Sequence, residues 1–256
     1  MIIEYLRPDT MEAAIEMLQR SKPATLALGG GSVLSKHKGK SIAVVDLQNL
    51  GLNQITHSAE IIEIGATATL SEIESTLADP EMTKAIRIQA GKNQRNSGTI
   101  AGLINVADGR SSLLTMLLAL DAQLTWLPGE KTISLADWLT QRTTWREAVL
   151  ISKIMIPQVV MRFETVARTP KDLPIVAIAI AKWPSGRLRI AVGGFGALPV
   201  LAMDGSMQEE VVMAVDKAFS HADDNWASAN YRREAGKILA ARLLAEIRHS
   251  SEEKTK

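Results

Sequence analysis

The chain has 256 residues, 46% of them hydrophobic, with no cysteine and a formal net charge of +1. Near-neutral charge with scattered Lys and Arg gives no footprint for nucleic acid, and the lack of cysteine excludes disulfides, thiolate chemistry, zinc–cysteine sites and cysteine-held iron–sulfur clusters within this chain. The length supports a sizeable core, in one large domain or about two to three small ones. His37, His57, His221 and His249 stand alone, without metal-ligand spacing, so no bound metal is expected. The opening MIIEYLRPD turns charged at once, unlike a signal peptide, and no apolar run approaches the roughly 18 residues of a membrane span. The expectation is a cytoplasmic protein.

Taken in order, Asp9 with Glu12 forms a capping-box-like pair that starts a helix carrying Met11, Ala14, Ile15 and Leu18 on one face. Thr25 to Leu28 reads as a strand that ends abruptly in Gly29, Gly30, Gly31 and Ser32, and Ile42 to Asp46 as a second, buried strand. Gly39, Lys40 and Ser41 imitate the end of a P-loop, but Leu34 stands where that motif needs a glycine. GGGSVL also lacks the third glycine of a dinucleotide-binding GxGxxG. Ile61 to Ala66 is a strand, Ser71 with Glu74 caps a short helix, and Pro80 starts another that runs into Gly91.

The stretch Gln94 to Asp121 organises the rest. It opens as a glycine-punctuated loop and closes as the apolar run LLTMLLAL, a buried helix with Ser111 or Ser112 as N-cap. Small residues at Ser97, Gly98, Ala101 and Gly102 let backbone amides approach a bound group, and a helix start adds unpaired N–H donors. That combination suits a phosphate; tight turns beside a core helix account for the same glycines.

Beyond Asp121 come a strand (AQLTWL), a turn at Pro128 and Gly129, a short segment to Trp138, and a strand from Val149 to Ile156. The mixture of hairpins and crossovers predicts an α+β fold. A second unit is expected near Val159. In IVAIAIA, Val176, Ile178 and Ile180 share one face and alanines the other, so both faces are buried and the alanine face admits a close helix. A hairpin leads to RLRIAVGGFG, whose glycines read as a strand-end bulge or as a third ligand loop. Two helices follow, the last with Ala235, Leu239, Leu243 and Ile247 as a core stripe, and a disordered tail is expected from His249. No nucleophile elbow or acid/base constellation appears, which points to a bound organic cofactor as the seat of the chemistry.

The chain resembles the FAD-binding medium subunit of molybdenum hydroxylases, the group that includes xanthine dehydrogenase and aerobic carbon monoxide dehydrogenase. The resemblance is carried, in order, by YLRPDTMEAAIEML, LALGGGSVL, VVDLQNL, IEIGATATLSEIE, QRNSGTIAGLINVADGRSSLLTMLLALDA, ISKIMIP, FETVART, GGFGALPVLA and NWASANYRREAGKILAARLL. It implies a two-part FAD-binding fold of the vanillyl-alcohol-oxidase (PCMH) type over 1–158, with subdomains of about 1–54 and 55–158. A C-terminal α+β domain with a three-stranded sheet would span 159–249, and 250–256 would be the tail. It also implies that FAD is held by two glycine-rich loops, Leu28, Gly29, Gly30, Gly31, Ser32 and Val33 in the first and Thr99, Ile100, Ala101, Gly102 and Leu103 in the second, with further contacts from Asp108, Ser112, Ile151 and Glu164.

The residues depart from the family at several of these positions. Gly31 stands where a hydroxyl or imidazole is usual, Ala101 replaces a glycine, Leu103 an asparagine, Ser112 an aspartate and Glu164 a lysine. An anion in place of a cation near a reduced flavin would disfavour its anionic forms, and Asp108 and Arg110 lie near enough in sequence to compensate. The resemblance implies an oxidoreductase subunit that passes electrons through FAD from iron–sulfur clusters on one partner chain, in a complex whose substrate is oxidised at a molybdenum cofactor on another, to an acceptor such as NAD. Two alternatives are an assembly module that lost its flavin and a free-standing flavin reductase.

Overall fold

The computed structural model describes residues 1–32, 34, 39–145 and 149–253. Val33 and His37 lie outside the described residues, as do residues 254–256 of the expected tail. Two compact units are present, and neither is contiguous in sequence. One comprises Met1–Leu77, Lys92–Val106 and Gln123–Met155; the other Ala78–Gly91, Ala107–Ala122 and Ile156–Lys256. The sequence reading places a boundary near 159, whereas the second unit also takes in two earlier segments, Ala78–Gly91 and Ala107–Ala122.

In the first unit, β1 (Ile2–Leu6), β2 (Thr25–Leu28) and β3 (Ile42–Asp46) form a parallel sheet in the order β1-β3-β2. β3 is buried along its whole length because it is the central strand, flanked by β1 and β2. Helix α1 (Met11–Leu18) covers one face, where Ala14 packs with Val45, Leu6 and Ala27. Its N-cap is Thr10 and not Asp9: the Thr10 hydroxyl accepts the amide hydrogen of Ala13 at 3.2 Å.

The same unit holds a five-stranded sheet in the order β4-β5-β8-β6-β7, built from β4 (Ile55–His57), β5 (Ile61–Gly65), β6 (Gln123–Leu127), β7 (Lys131–Ser134) and β8 (Leu150–Pro157). It also holds α2 (Leu70–Leu77), α4 (Lys92–Ser97), α5 (Ile100–Val106) and α7 (Leu135–Gln141), while α3 (Pro80–Gln89) belongs to the second unit. The capping box of α2 is Thr69 with Glu72, two residues earlier than the sequence suggests: the Thr69 amide donates to Glu72 Oε2 at 2.7 Å and the Glu72 amide to Thr69 Oγ1 at 3.2 Å. Ser71 and Glu74 instead reach α4, through Asn96 at 2.6 Å and Arg95 at 3.1 Å. That anchoring explains why Lys92–Ser97 is helical where a loop is expected.

The second unit is built on an antiparallel sheet, β12-β11-β10-β9, of β9 (Val160–Val166), β10 (Val176–Lys182), β11 (Leu188–Gly193) and β12 (Val200–Gly205). The sheet has four strands where the resemblance implies three, because the segment after the Gly193–Gly196 turn pairs back onto β11 as β12. Val176, Ile178 and Ile180 face α8 (Val211–Ala218) and α9 (Ala229–Glu253), with Leu239, Leu243 and Ile247 of α9 in the same core. Helix α6 (Ser112–Ala119) lies on the opposite, alanine face: Gly193, paired with Ala177, leaves room for Thr115, whose Oγ1 would stand 2.3 Å from a Cβ there. Helix α9 runs on to Glu253, past the expected end of order at His249, since residues 250–253 carry no glycine or proline to stop it.

Candidate functional site

In the first unit β2 delivers the chain to Gly29, Gly30 and Gly31, and the turn between α4 and α5 delivers Ser97, Gly98 and Thr99 to the same place. The two segments touch backbone to backbone. A Cβ on Gly30 would lie 1.4 Å from the Ser97 carbonyl oxygen, and one on Gly29 would lie 2.6 Å from Thr99 Oγ1, so no side chain fits at either position. Gly31 has φ +70°, where the hydroxyl- or imidazole-bearing residue implied by the resemblance would be strained.

The Thr99 turn is held by regular pairing. Leu70 donates to the Gly98 carbonyl and Ile100 to that of Ala68, while Thr99 Oγ1 accepts the Gly102 amide at 3.2 Å and so caps α5. Among the described residues, the amides of Gly29, Gly30, Gly31 and Thr99 donate to no acceptor. They surround a cleft of ≈ 430 Å³ whose walls also include Leu28, Asn96, Ser97, Thr67, Thr69 and Gln48. A ring of unpaired donors with close backbone approach fits an acceptor-rich group such as a diphosphate.

Two carboxylates share the cleft, and both are already engaged. Asp46, 1% exposed, accepts from the Gln48 amide at 3.0 Å and from the Tyr5 hydroxyl through a short hydrogen bond, with Arg7 Nε at 4.0 Å. That bond to Asp46 pushes the Tyr5 hydroxyl above the usual phenol range. Glu72 accepts from the amide and hydroxyl of Thr69, at 2.7 and 2.8 Å. These neutral donors fix the two carboxylates in place but leave their negative charge in the cleft wall.

The structure thus brings Leu28, Gly29, Gly30, Gly31 and Thr99 to one cleft. Ser32 follows the first loop, and Ile100, Ala101, Gly102 and Leu103 continue from Thr99 as the first turn of α5. Ile151 is a buried residue of β8, paired with Trp126, and does not line the cleft.

Asp108, Ser112 and Glu164 belong to the second unit. Asp108 is exposed and accepts the Arg110 amide at 2.9 Å. The Arg110 guanidinium, expected to compensate for lost polar contacts, is committed elsewhere: it donates to the carbonyls of Leu173 and Pro174 at 2.5 and 2.9 Å and lies 4.2 Å over the Trp226 ring. Ser112 is fully buried, and its hydroxyl has no partner among the described residues. The start of α6 was expected to offer donors to a ligand, but they are used internally, by Ser111 Oγ for the Leu114 amide at 3.1 Å and by Gln89 Oε1 for the Leu113 amide at 3.4 Å. Glu164 sits between two cations, Lys84 and Arg242, each at 3.1 Å. The anion that replaces a lysine is therefore neutralised by neighbours from α3 and α9.

Tyr5, Asp46, Gln48, Thr67, Thr69 and Glu72 escaped sequence reasoning as cleft residues. The one available signal was a carboxylate, Asp46, closing an otherwise apolar buried strand.

Comparison with known proteins agrees with this geometry. A family described as "FAD binding domain in molybdopterin dehydrogenase" matches residues 1–159. The chain is 29% identical over 263 residues to Uncharacterized protein YgfM of Escherichia coli (strain K12), covering 99% of both. It is 24% identical over 274 residues to the glyceraldehyde dehydrogenase medium chain of Sulfolobus acidocaldarius, covering 95% of this chain and 97% of that one. A chain in the structure of carbon monoxide dehydrogenase from Hydrogenophaga pseudoflava, a form lacking the Mo-pyranopterin moiety, shares the fold with a TM-score of 0.79 at 20% identity, over 94% of this chain and 96% of that one. Glycine loops that expose amides to a cleft, and a family match over well more than half its length, make this chain a member of the molybdopterin-dehydrogenase FAD-binding family, with FAD as its cofactor.

Proposed function

We propose that the chain holds the diphosphate of FAD against Gly29–Gly31 and Thr99 and serves as the electron-transfer subunit of a molybdenum-containing hydroxylase complex. The observation that carries this reading is the junction of the two glycine segments, which leaves four backbone amides unpaired around one cleft. A bound flavin supplies the exchange between one-electron and two-electron chemistry that side chains lack. The protein's own groups bind and orient it: the amides take the phosphate oxygens, Thr99 fixes the second turn, Ser32 follows the first loop, and Ile100 to Leu103 continue the second as the first turn of α5.

The absence of cysteine requires any iron–sulfur cluster to reside on another chain. Relatives named as the "medium chain" of a glyceraldehyde dehydrogenase and "subunit alpha" of a 6-hydroxypseudooxynicotine dehydrogenase complex support a multi-chain assembly. In this reading one partner carries the clusters, another the molybdenum cofactor, and a nicotinamide nucleotide accepts the electrons.

A second reading, an assembly module that has lost its flavin, is favoured by one feature: the cleft is lined by Asp46 and Glu72 and, among the described residues, by no Lys or Arg. Purification from the native source distinguishes the readings. The first expects a yellow chain that elutes with cluster-bearing and molybdenum-bearing partners. Colourless protein that FAD cannot reconstitute supports the assembly module, and a lone chain that oxidises NAD(P)H unaided makes it a free-standing reductase.

A further inference from the structure

The first unit holds a second cavity, of ≈ 460 Å³, that shares no lining residue with the diphosphate cleft. One strip of backbone runs between the two. Leu52 and Gln54 line the second cavity and Asn53 lines the cleft. The strip is pinned to the end of β5, where the Gly65 amide donates to the Gln54 carbonyl at 2.8 Å and the Thr67 amide to the Leu52 carbonyl at 2.9 Å. A Cβ on Gly65 would lie 2.1 Å from the Leu52 carbonyl oxygen, so this wall closes directly against the strand.

The floor of the cavity is the polar face of the five-stranded sheet. Thr56, Glu63, Lys153, Thr125 and Thr132 make one row across β4, β5, β8, β6 and β7, and all five line the cavity. Register pairs Thr56 with Glu63, and Thr125 with both Lys153 and Thr132. The row is closed at its centre by the Lys153 ammonium, which donates to the two Glu63 carboxylate oxygens at 3.1 and 3.0 Å. The adjoining Ile64, Leu124 and Ile154 are fully buried on the opposite face, as alternation along a strand requires. The ion pair itself is open, with the Lys153 side chain 39% and the Glu63 side chain 43% exposed. Glu130, on the turn between β6 and β7, brings a third charge to the lining; it is exposed and has no partner among the described residues.

Two carboxylates and one ammonium are complemented by a ligand with two cations and one anion. A singly charged ligand takes one member of the Glu63–Lys153 pair and leaves the other without its partner, whereas a zwitterion satisfies both at once. We infer that this cavity is a binding site for a basic α-amino acid of the arginine or lysine type, with its carboxylate on Lys153, its α-ammonium on Glu63 and its side-chain cation on Glu130. The hydroxyls of Thr56, Thr125 and Thr132 can donate or accept for the polar atoms that remain. The volume falls in the range of about 300–1,000 Å³ usual for small-molecule sites. The inference goes beyond the FAD reading and uses no residue of the diphosphate cleft.

The test is isothermal titration of the flavin-free full-length chain with arginine, with agmatine, which lacks the carboxylate, and with alanine, which lacks the side-chain cation. Saturable binding of arginine is expected, with both analogues weaker. Glu130→Gln, on an exposed turn, should weaken arginine about five-fold, the worth of one exposed ion pair, and leave alanine unchanged. Lys153→Met should weaken arginine and alanine and leave agmatine no weaker. Arginine that does not bind, or that binds wild type and Glu130→Gln equally, overturns the site. Saturating FAD that displaces arginine also overturns it, by assigning the cavity to the cofactor. An oligolysine peptide that binds Glu130-dependently while free arginine does not overturns it in favour of a basic segment of a partner chain.

Discussion

The carbonyl oxygen of Ser97 occupies the space where Gly30 would carry a side chain, 1.4 Å from an ideal Cβ. Gly30 and Ser97 are distant in sequence, and their contact is what makes one cleft of two loops.

That contact predicts the effect of the smallest substitution. Gly30→Ala must push the loops apart and withdraw amides from the diphosphate, each charge-assisted contact being worth about 1.5–3 kcal/mol. FAD affinity measured by titration should fall by roughly ten-fold or more, with the circular dichroism of the folded chain retained. Wild-type affinity in Gly30→Ala would remove the junction from the site.

Glu164 predicts a charge effect that runs against the family pattern. It is part-exposed between Lys84 and Arg242, so Glu164→Gln should cost no more than about 1 kcal/mol. Glu164→Lys places three cations together and should lower the melting temperature further than Glu164→Gln. A more stable Glu164→Lys would show that the family's lysine has no conflict here.

Arg232 is fully buried and spends its guanidinium on the carbonyls of Ile175, Ala222, Ala227 and Gly194 and on both Asp224 oxygens at 2.8 Å. Burial of the Asp224 carboxyl acts upward on its pKa but is outweighed by this guanidinium and two amides, which hold it below the usual range. Removing one partner of a buried pair typically costs about 3–5 kcal/mol, and a lysine lacks the planar fork needed to reach four carbonyls and a carboxylate at once. Arg232→Lys should therefore lower the melting temperature nearly as much as Arg232→Met, read by thermal denaturation.

Asp204 predicts the pH dependence. Its hydrogen bonds to Arg187 at 2.7 Å and the charge of Arg189 hold its carboxyl below the ordinary value, against the opposing effect of burial. A depressed folded-state pKa contributes stability that is present above the unfolded pKa and is lost as pH falls through the folded one. Asp204→Asn should thus be less stable than wild type at neutral pH, and the difference should close on acidification below the carboxylate range. A gap that stays constant to low pH would contradict the assignment.

Sequence alone determined the elements whose burial is set by their own pattern. The strands Thr25–Leu28 and Ile42–Asp46 lie where apolar runs end in glycine or an acid, and the Leu239, Leu243, Ile247 stripe faces a core as its spacing requires. Alternation in β10 foretold both its aliphatic and its alanine face, because side-chain direction in a strand is local geometry. The glycine loops, and through them the family, were also legible. Tertiary structure decided what depends on distant partners. Thr69, not Ser71, caps α2 because Ser71 is drawn to Asn96, and β12 is a strand because β11 offers an edge. The cleft walls of Tyr5, Asp46 and Glu72 carry no motif, since their role arises only when the chain brings them beside Gly29–Gly31. Ser111 illustrates the limit of local reading: it is the N-cap that its sequence suggests, but Gln89, far away in the chain, helps to occupy the donors that looked free for a ligand. Caps and periods are written within a few residues, whereas hydrogen-bond partners across the fold are not.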